Sequence, residues 1–190
     1  ITTGKVRLSY VHLTQPYAHQ PGQDPKYSTT ILIPKTDTDT KARLDAAVQA
    51  AIQDGITGKW GGTKPAQPHI PLHDGDGVRP NGEAFGAECK GHWVITASSK
   101  LPVEVVDTNL NPIIDQTQIY SGMYARVNIN FFAYNSNGRK GVGAGLGPVQ
   151  KLADGEVLGG KATSAADAFG GGGQAQPSPQ IDPLTGQPMA

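Results

Sequence analysis

The chain is 190 residues long, with 16 Lys and Arg against 16 Asp and Glu, 25 Gly and 15 Pro. Gly and Pro together make up about 21% of it, nearly twice average usage, which excludes a fold dominated by long packed helices and favours a loop-rich, mainly β domain of ordinary size. Zero net charge excludes a strongly basic nucleic-acid coat but not a local basic face, because affinity for phosphate depends on where cations sit.

The neutral total hides two unlike parts. Residues 1–152 carry 15 cations and 12 anions, whereas residues 153–190 set Lys161 against Asp154, Glu156, Asp167 and Asp182, so a +3 body is cancelled by a −3 end. No window approaches the roughly 18 apolar residues needed to span a bilayer, and Ile1 to Lys5 holds no apolar signal core; a soluble intracellular protein without membrane contact is expected. The start at Ile1 reads as a trimmed or partial sequence. Cys89 has no internal disulfide partner, which fits a reducing compartment.

In chain order, Lys5 to Leu13 alternates with Val6, Leu8 and Tyr10 on one face and Arg7 and Ser9 on the other, the pattern of a half-buried strand. Lys26 to Ile33 is rich in β-branched residues and stops at Pro34, marking a second strand. Thr36, Asp37, Thr38 and Asp39 offer N-caps to a helix whose stripe is Leu44, Ala47, Val48, Ala51 and Ile52, and which ends at Gly55 or Gly58. The small side chains of that stripe suit close packing on a sheet. Gly61 to Lys90 is turn chemistry, and a loop of that length in a compact domain is functional or mobile. Strands resume at His92 to Ala97 and Pro102 to Asp107, followed by a turn at Asn109 to Pro112. Met123 to Tyr134 is the clearest strand, and Lys140 to Leu152 follows with alternating glycines at 141, 143, 145 and 147 that leave one face bare. From Gly170 the chain has few large apolar residues and no period, so it cannot offset about 1–2 kcal/mol of backbone entropy per ordered residue. The expected division is a domain over 1–169 and a disordered tail over 170–190.

Period two along Met123 to Tyr134 puts Met123, Ala125, Val127, Ile129, Phe131 and Ala133 on a core face and Tyr124, Arg126, Asn128, Asn130, Phe132 and Tyr134 on the other. The second set mixes aromatics, amides and a cation, which suits a surface that stacks bases and touches phosphates; a solvent-facing strand would show the same pattern. Arg7, Lys26, Tyr27, Trp60, Trp93, Lys100, Arg139 and Lys140 are the further cations and aromatics that could extend such a face, although each also suits a core or solvated position.

Catalytic and metal signals are weaker. His69, His73, Cys89 and His92 supply four zinc-type ligands, but Pro71 keeps the first pair off one helix face, and Cys89 reads as a small buried hydrophobe. Asp74-Gly75-Asp76 begins like a calcium loop, yet Phe85 stands where the bidentate Glu is needed, so a turn is expected. Asp74, Asp76, Glu83 and Glu88 lie close enough in sequence to raise a metal-dependent nuclease or hydrolase, but Asp is also a common turn former. No metal, cofactor or catalytic residue is assigned.

An ordered series of blocks then becomes recognisable: Pro25-Lys26-Tyr27-Ser28 leading to Ile31-Leu32-Ile33-Pro34-Lys35, Pro71 to Asp76, Ala97-Ser98-Ser99-Lys100, Tyr120 to Arg126, Gly141 to Gln150, and Ala165 to Phe169. From about Lys5 to Phe169 the chain resembles a family of tailed-phage single-stranded DNA-binding proteins, formerly known only as a domain of unknown function. The resemblance implies an OB-fold, a five-stranded β-barrel with one helix, that binds single-stranded DNA without sequence preference and without catalysis. It also implies work in phage replication or recombination in the host cytoplasm, alongside replication or recombination proteins. A homodimer is expected by base rate. One departure concerns the helix, which follows two clear strands where an OB fold ordinarily places it after three; either the first strand serves twice or Thr14 to Asp24 hides another. The other concerns the end of the chain, only mildly acidic and finishing Gln187-Pro188-Met189-Ala190, which does not match the acidic, aromatic-tipped tail through which many such proteins recruit partners. The competing functions are the nuclease or hydrolase on the 61–89 loop and a phage structural or assembly protein.

Overall fold

The strand with the strongest alternation forms the spine of the molecule. In a computed structural model, which describes residues 1–159, this strand runs Tyr124–Ser136 and turns at Asn137-Gly138 into its neighbour Arg139–Ala153. Both turn residues have positive φ, 51° and 81°, as a two-residue hairpin with right-handed strand twist requires. In chain order the elements are β1 (Val6–Tyr17), β2 (Lys26–Pro34), α1 (Thr38–Thr57), β3 (Leu72–Asp74), β4 (His92–Ser99), β5 (Val105–Val106), β6 (Tyr124–Ser136) and β7 (Arg139–Ala153). Five of these strands close into a ring, β1-β2-β4-β7-β6 and back to β1. The β4–β7 contact, at Ser98 and Gly145, is parallel, and every other ring contact is antiparallel. Counting ring strands by sequence, the order is 1-2-3-5-4, the connectivity of an OB fold. β3 and β5 are short additions on β4 and β7.

The helix lies between the second and third ring strands, so neither account of its unexpected position is needed. Thr14 to Tyr17 continue β1, and residues 18–25 return the chain to β2. The strand expected over 102–107 is only two residues long, and the 61–90 loop contains β3 and a short 3₁₀ turn at Ala87–Cys89. The tail, the boundary at Phe169 and the block Ala165 to Phe169 lie outside the described residues.

Packing explains the glycine and alanine placement. Val6, Leu8, Ile31, Ile33, Ile95, Met123, Ala125, Val127 and Ile129 are fully buried in the main core, to which Leu44 of α1 contributes. Farther along the helix, Val48, Ala51 and Ile52 pack with Trp60, Ala133 and Val142. Gly55 permits that approach, since a Cβ there would meet Ala133 Cβ at 2.8 Å. At the helix start, Asp37 Oδ1 accepts from the Thr40 backbone N–H at 3.0 Å, fulfilling the N-cap expectation, and Thr40 Oγ1 accepts from the Gly4 N–H at 3.0 Å.

β1 departs from its sequence pattern. Ser9 pairs with Thr30 and His12 with Ser28, so three steps on β1 match two on β2 and one residue is extra. This bulge inverts the alternation: Ser9 is 4% exposed, Tyr10 is turned out at φ 47° and 56% exposed, and Leu13 points back into the core. The expected place of Tyr10 beside Val6 and Leu8 is therefore corrected.

Candidate nucleic-acid interface

The outer face of β2 and β4 forms an open groove with two adjoining chambers. The first, about 390 Å³, is lined by Tyr17, His19, Gln23, Asp24, Lys26, Ser28, Thr96, Ser98 and Lys100. The second, about 270 Å³, shares His19, Ser28 and Thr96 and adds Tyr10, Arg79 and Phe85. The floor consists of small hydroxyl side chains on paired residues, Ser28 opposite Ser98 and Thr30 opposite Thr96, the two threonine hydroxyls lying 3.1 Å apart. Along the rim, His12 stacks on Tyr17 with ring centroids 4.4 Å apart and an 8° interplanar angle, and His19 meets Tyr17 edge-on at 5.1 Å. Burial, and then the neighbouring His19, hold the His12 pKa below its ordinary value. Two lysines and one aspartate stand around the first chamber, giving it a cationic excess beside exposed rings.

Of the residues singled out from sequence, Lys26 and Lys100 belong to this groove. Tyr27 precedes Ser28 at the end of β2 and is half-buried. Beyond the Ser98–Gly145 pair, the outer face continues onto β7 and β6, because paired residues of a sheet share a face. There the bare glycines acquire a role: the β6 side chains lie over them. A Cβ at Gly141 would sit 2.7 Å from Tyr134 Oη, one at Gly143 2.6 Å from Phe132 Cζ, and one at Gly147 2.6 Å from Asn128 Oδ1, while Asn130 covers Gly145. Phe132 remains 45% exposed.

The other end of the β6 row is held by intramolecular contacts. Lys5 Nζ lies 4.8 Å and Arg7 Cζ 5.8 Å from the Tyr124 ring centroid. Arg7 donates from Nη2 to the Glu156 carbonyl at 2.7 Å, Arg126 from Nε to the Thr3 carbonyl at 3.4 Å, and Asn128 from Nδ2 to Thr2 Oγ1 at 3.1 Å. Arg126 and Asn128 line a separate shallow depression with Thr2, Leu110 and Gln150. Arg139 is exposed at the β6–β7 turn, and Lys140 donates to the Trp60 carbonyl at 3.3 Å.

Of the two tryptophans, Trp60 is buried and Trp93 half-buried. Trp60 is 2% exposed and donates from Nε1 to the Tyr134 carbonyl at 2.9 Å, so neither ring face is open to a base and its role is packing. Trp93 packs against the main core, with Lys35 and Lys41 Nζ at 4.8 and 4.5 Å from its ring.

The acidic loop is bound up in the fold. Lys35 Nζ lies 2.6 Å from both Asp74 Oδ1 and Asp76 Oδ2, which raises the lysine pKa and, chiefly through those hydrogen bonds, lowers both carboxylates. Asp74 also accepts from the Asp76 N–H, the expected turn, and Glu83 accepts from Asn81. Cys89 is buried with Leu32 and Val94, its thiol pKa pushed up by burial and then Glu88, while His92 Nδ1 contacts the Lys90 carbonyl. Among the described residues, no three His, Cys, Asp or Glu side chains converge as metal ligands.

Sequence reasoning missed Tyr10, Tyr17, His19, Arg79 and Phe85. Tyr10 had a signal of the wrong sign, because strict alternation placed it inside. The others lie at the end of β1 or in loops, where no period marks a side chain for one face.

Comparison with known proteins bears on the family and the fold. Residues 1–178 match the family described as Enterobacter phage Enc34, ssDNA-binding protein. The putative protein p50 of Acyrthosiphon pisum secondary endosymbiont phage 1 is 31% identical over 180 residues, covering 87% of this chain and 92% of p50. Among solved structures, the single-stranded DNA-binding protein from bacteriophage Enc34 in complex with ssDNA superposes with a TM-score of 0.71 at 29% identity, covering 83% of this chain and 88% of that one. The single-stranded DNA-binding protein gp2.5 encoded by bacteriophage T7 shares the fold, with a TM-score of 0.57 at 14% identity over 92% of this chain and 95% of its own. The chain thus belongs to the Enterobacter phage Enc34 ssDNA-binding protein family.

Proposed function

We propose that this protein binds single-stranded DNA, without catalysis or sequence preference, along the outer face of β2 and β4, and so coats and protects it. Family membership supports the activity, and one observation carries the location. Lys26 and Lys100 flank a groove with a hydroxyl floor and an aromatic rim, on the face that OB folds offer to oligonucleotides. Cations there attract the phosphate backbone, and rings stack bases of any identity. Phe132 and Arg139 extend the proposed path across the Ser98–Gly145 junction and along β6. Tyr124, Arg126, Asn128, Tyr134, Arg7, Tyr27 and Lys140 remain as flanking positions of the same proposal.

The wider setting belongs to the proposal too: phage replication or recombination in the host cytoplasm, and a homodimer in solution, for which light scattering giving a monomer mass would be contrary. Among the described residues, no helix is long and apolar enough to cross a membrane. We carry the division at Phe169 in the same way; a chain ending there should retain its DNA affinity. The activity itself is tested by fluorescence anisotropy with a labelled single strand and the matching duplex. Tighter binding of the single strand supports the reading, and equal or absent binding defeats it.

A further inference from the structure

Two histidines gather at the rim of the groove. His12 pairs with Ser28 across β1 and β2, and Ser28 with Ser98 across β2 and β4, so the three side chains share the outer face. His19 lines both chambers. Tyr17 joins the two imidazoles into one cluster: His12 lies flat on its ring, His19 meets it edge-on, and the histidine centroids are 6.0 Å apart. Among the described residues neither imidazole belongs to an ion pair. Lys26 at the start of β2, Lys100 just past β4 and Arg79 of the loop between β3 and β4 bring three permanent cations to the chamber walls, against the single carboxylate of Asp24. Tyr10, Tyr17 and Cys89 are the other titratable groups on these walls. Such surroundings resist further positive charge, since each imidazolium would face the other and the three cations. In keeping with this, burial and then His19 hold the His12 pKa below 6.5. A phosphate backbone laid along the groove reverses the balance, because its charge favours the protonated rings. The Tyr17 face, stacked at 4.4 Å, favours a charged His12 as well.

We propose that the His12–Tyr17–His19 cluster couples single-strand binding to proton uptake, so that the groove holds the phosphate backbone more tightly as pH falls from 7.5 to 5.5. The inference rests on the groove being the single-strand site and adds a regulation of that site. Histidine is the side chain whose charge ordinarily changes across this range. Linkage makes the effect reciprocal: a strand that raises the pKa of one imidazole by one unit binds about tenfold more tightly at a pH below both values.

The test is the affinity for labelled oligothymidylate at pH 7.5 and 5.5 and fixed ionic strength, thymine having no group that titrates in this range. The wild type should bind about tenfold more tightly at pH 5.5. His12→Gln and His19→Gln should each lose part of that gain, and the double variant all of it. His92→Gln, at the opposite end of β4 from Lys100, should keep it. Calorimetry of the wild type at pH 6.5, in two buffers of different ionisation heat, should show protons taken up with the strand, a readout that does not depend on any variant folding. A wild type with no gain at pH 5.5 or no proton uptake would overturn the coupling, as would a double variant that keeps the gain. Absence of single-strand binding at both pH values would defeat the functional reading itself.

Discussion

The ring of Phe132 occupies the space that a side chain at residue 143 would need: a Cβ on Gly143 would stand 2.6 Å from Phe132 Cζ and 2.7 Å from Cε2. The absence of a side chain on one strand thus lets an aromatic on its neighbour lie down on the sheet with part of its surface open. Gly143→Ala should displace the ring at a cost of about 1 kcal/mol, since the obstructing atoms are the far end of a side chain. Single-strand affinity should fall in the same direction as for Phe132→Ala, whose loss is about 1–3 kcal/mol if the ring stacks one base. Thermal melts and anisotropy on the two variants check both effects.

The bulge at Tyr10 makes stability there depend on backbone tolerance. At φ 47°, Asn is accommodated, whereas a β-branched residue is strained. Tyr10→Asn should unfold at nearly the wild-type urea midpoint, and Tyr10→Val should lose about 1–2 kcal/mol. Equal stabilities would argue against the left-handed conformation.

Trp60 offers a control for the binding face. Trp60→Phe removes the donor to the Tyr134 carbonyl and should cost about 1–2 kcal/mol of stability. Its DNA affinity should stay at the wild-type value, because the indole is enclosed between α1 and the sheet. A selective loss of binding at unchanged stability would restore Trp60 to the interface.

The pH dependence has a definite sign. Burial and then His19 lower the pKa of His12, and burial and then His69 lower that of His73, both from an ordinary value of 6.5. Just below 6.5 the unfolded chain therefore binds more protons than the folded one, and stability falls as pH drops through 6.5 towards the folded values. The urea midpoint of the free protein should be lower at pH 5.5 than at pH 7.5, with a smaller difference in His12→Gln. A higher midpoint at pH 5.5 would reverse the sign expected of these groups.

The strands were legible because period two survives wherever one face is buried: Met123, Ala125, Val127 and Ile129 are all fully buried, as their alternation implies. The glycine row of β7 also showed as a bare face, but what covers it depends on the register with β6, a long-range property that local pattern does not encode. In β1 a single extra residue broke the rule, turning Tyr10 outward and Ser9 inward. Lys26 and Lys100 stood out as cations at strand ends, and both line the groove. Arg79 and Phe85 were not, because their loop has no period and its apparent signal was acidic. The structure places Asp74 and Asp76 on Lys35 and leaves the arginine over the groove.

The account depends most directly on DNA lying in the groove between Lys26 and Lys100. The decisive measurement is single-strand affinity against salt concentration for the wild type and for the Lys26→Ala/Lys100→Ala double variant. Each phosphate neutralised on a single strand contributes about 0.7 to the slope of log affinity against log salt, so the double variant should bind more weakly with a slope shallower by about 1.4. A folded double variant with wild-type affinity and slope would place the strand elsewhere and contradict the account.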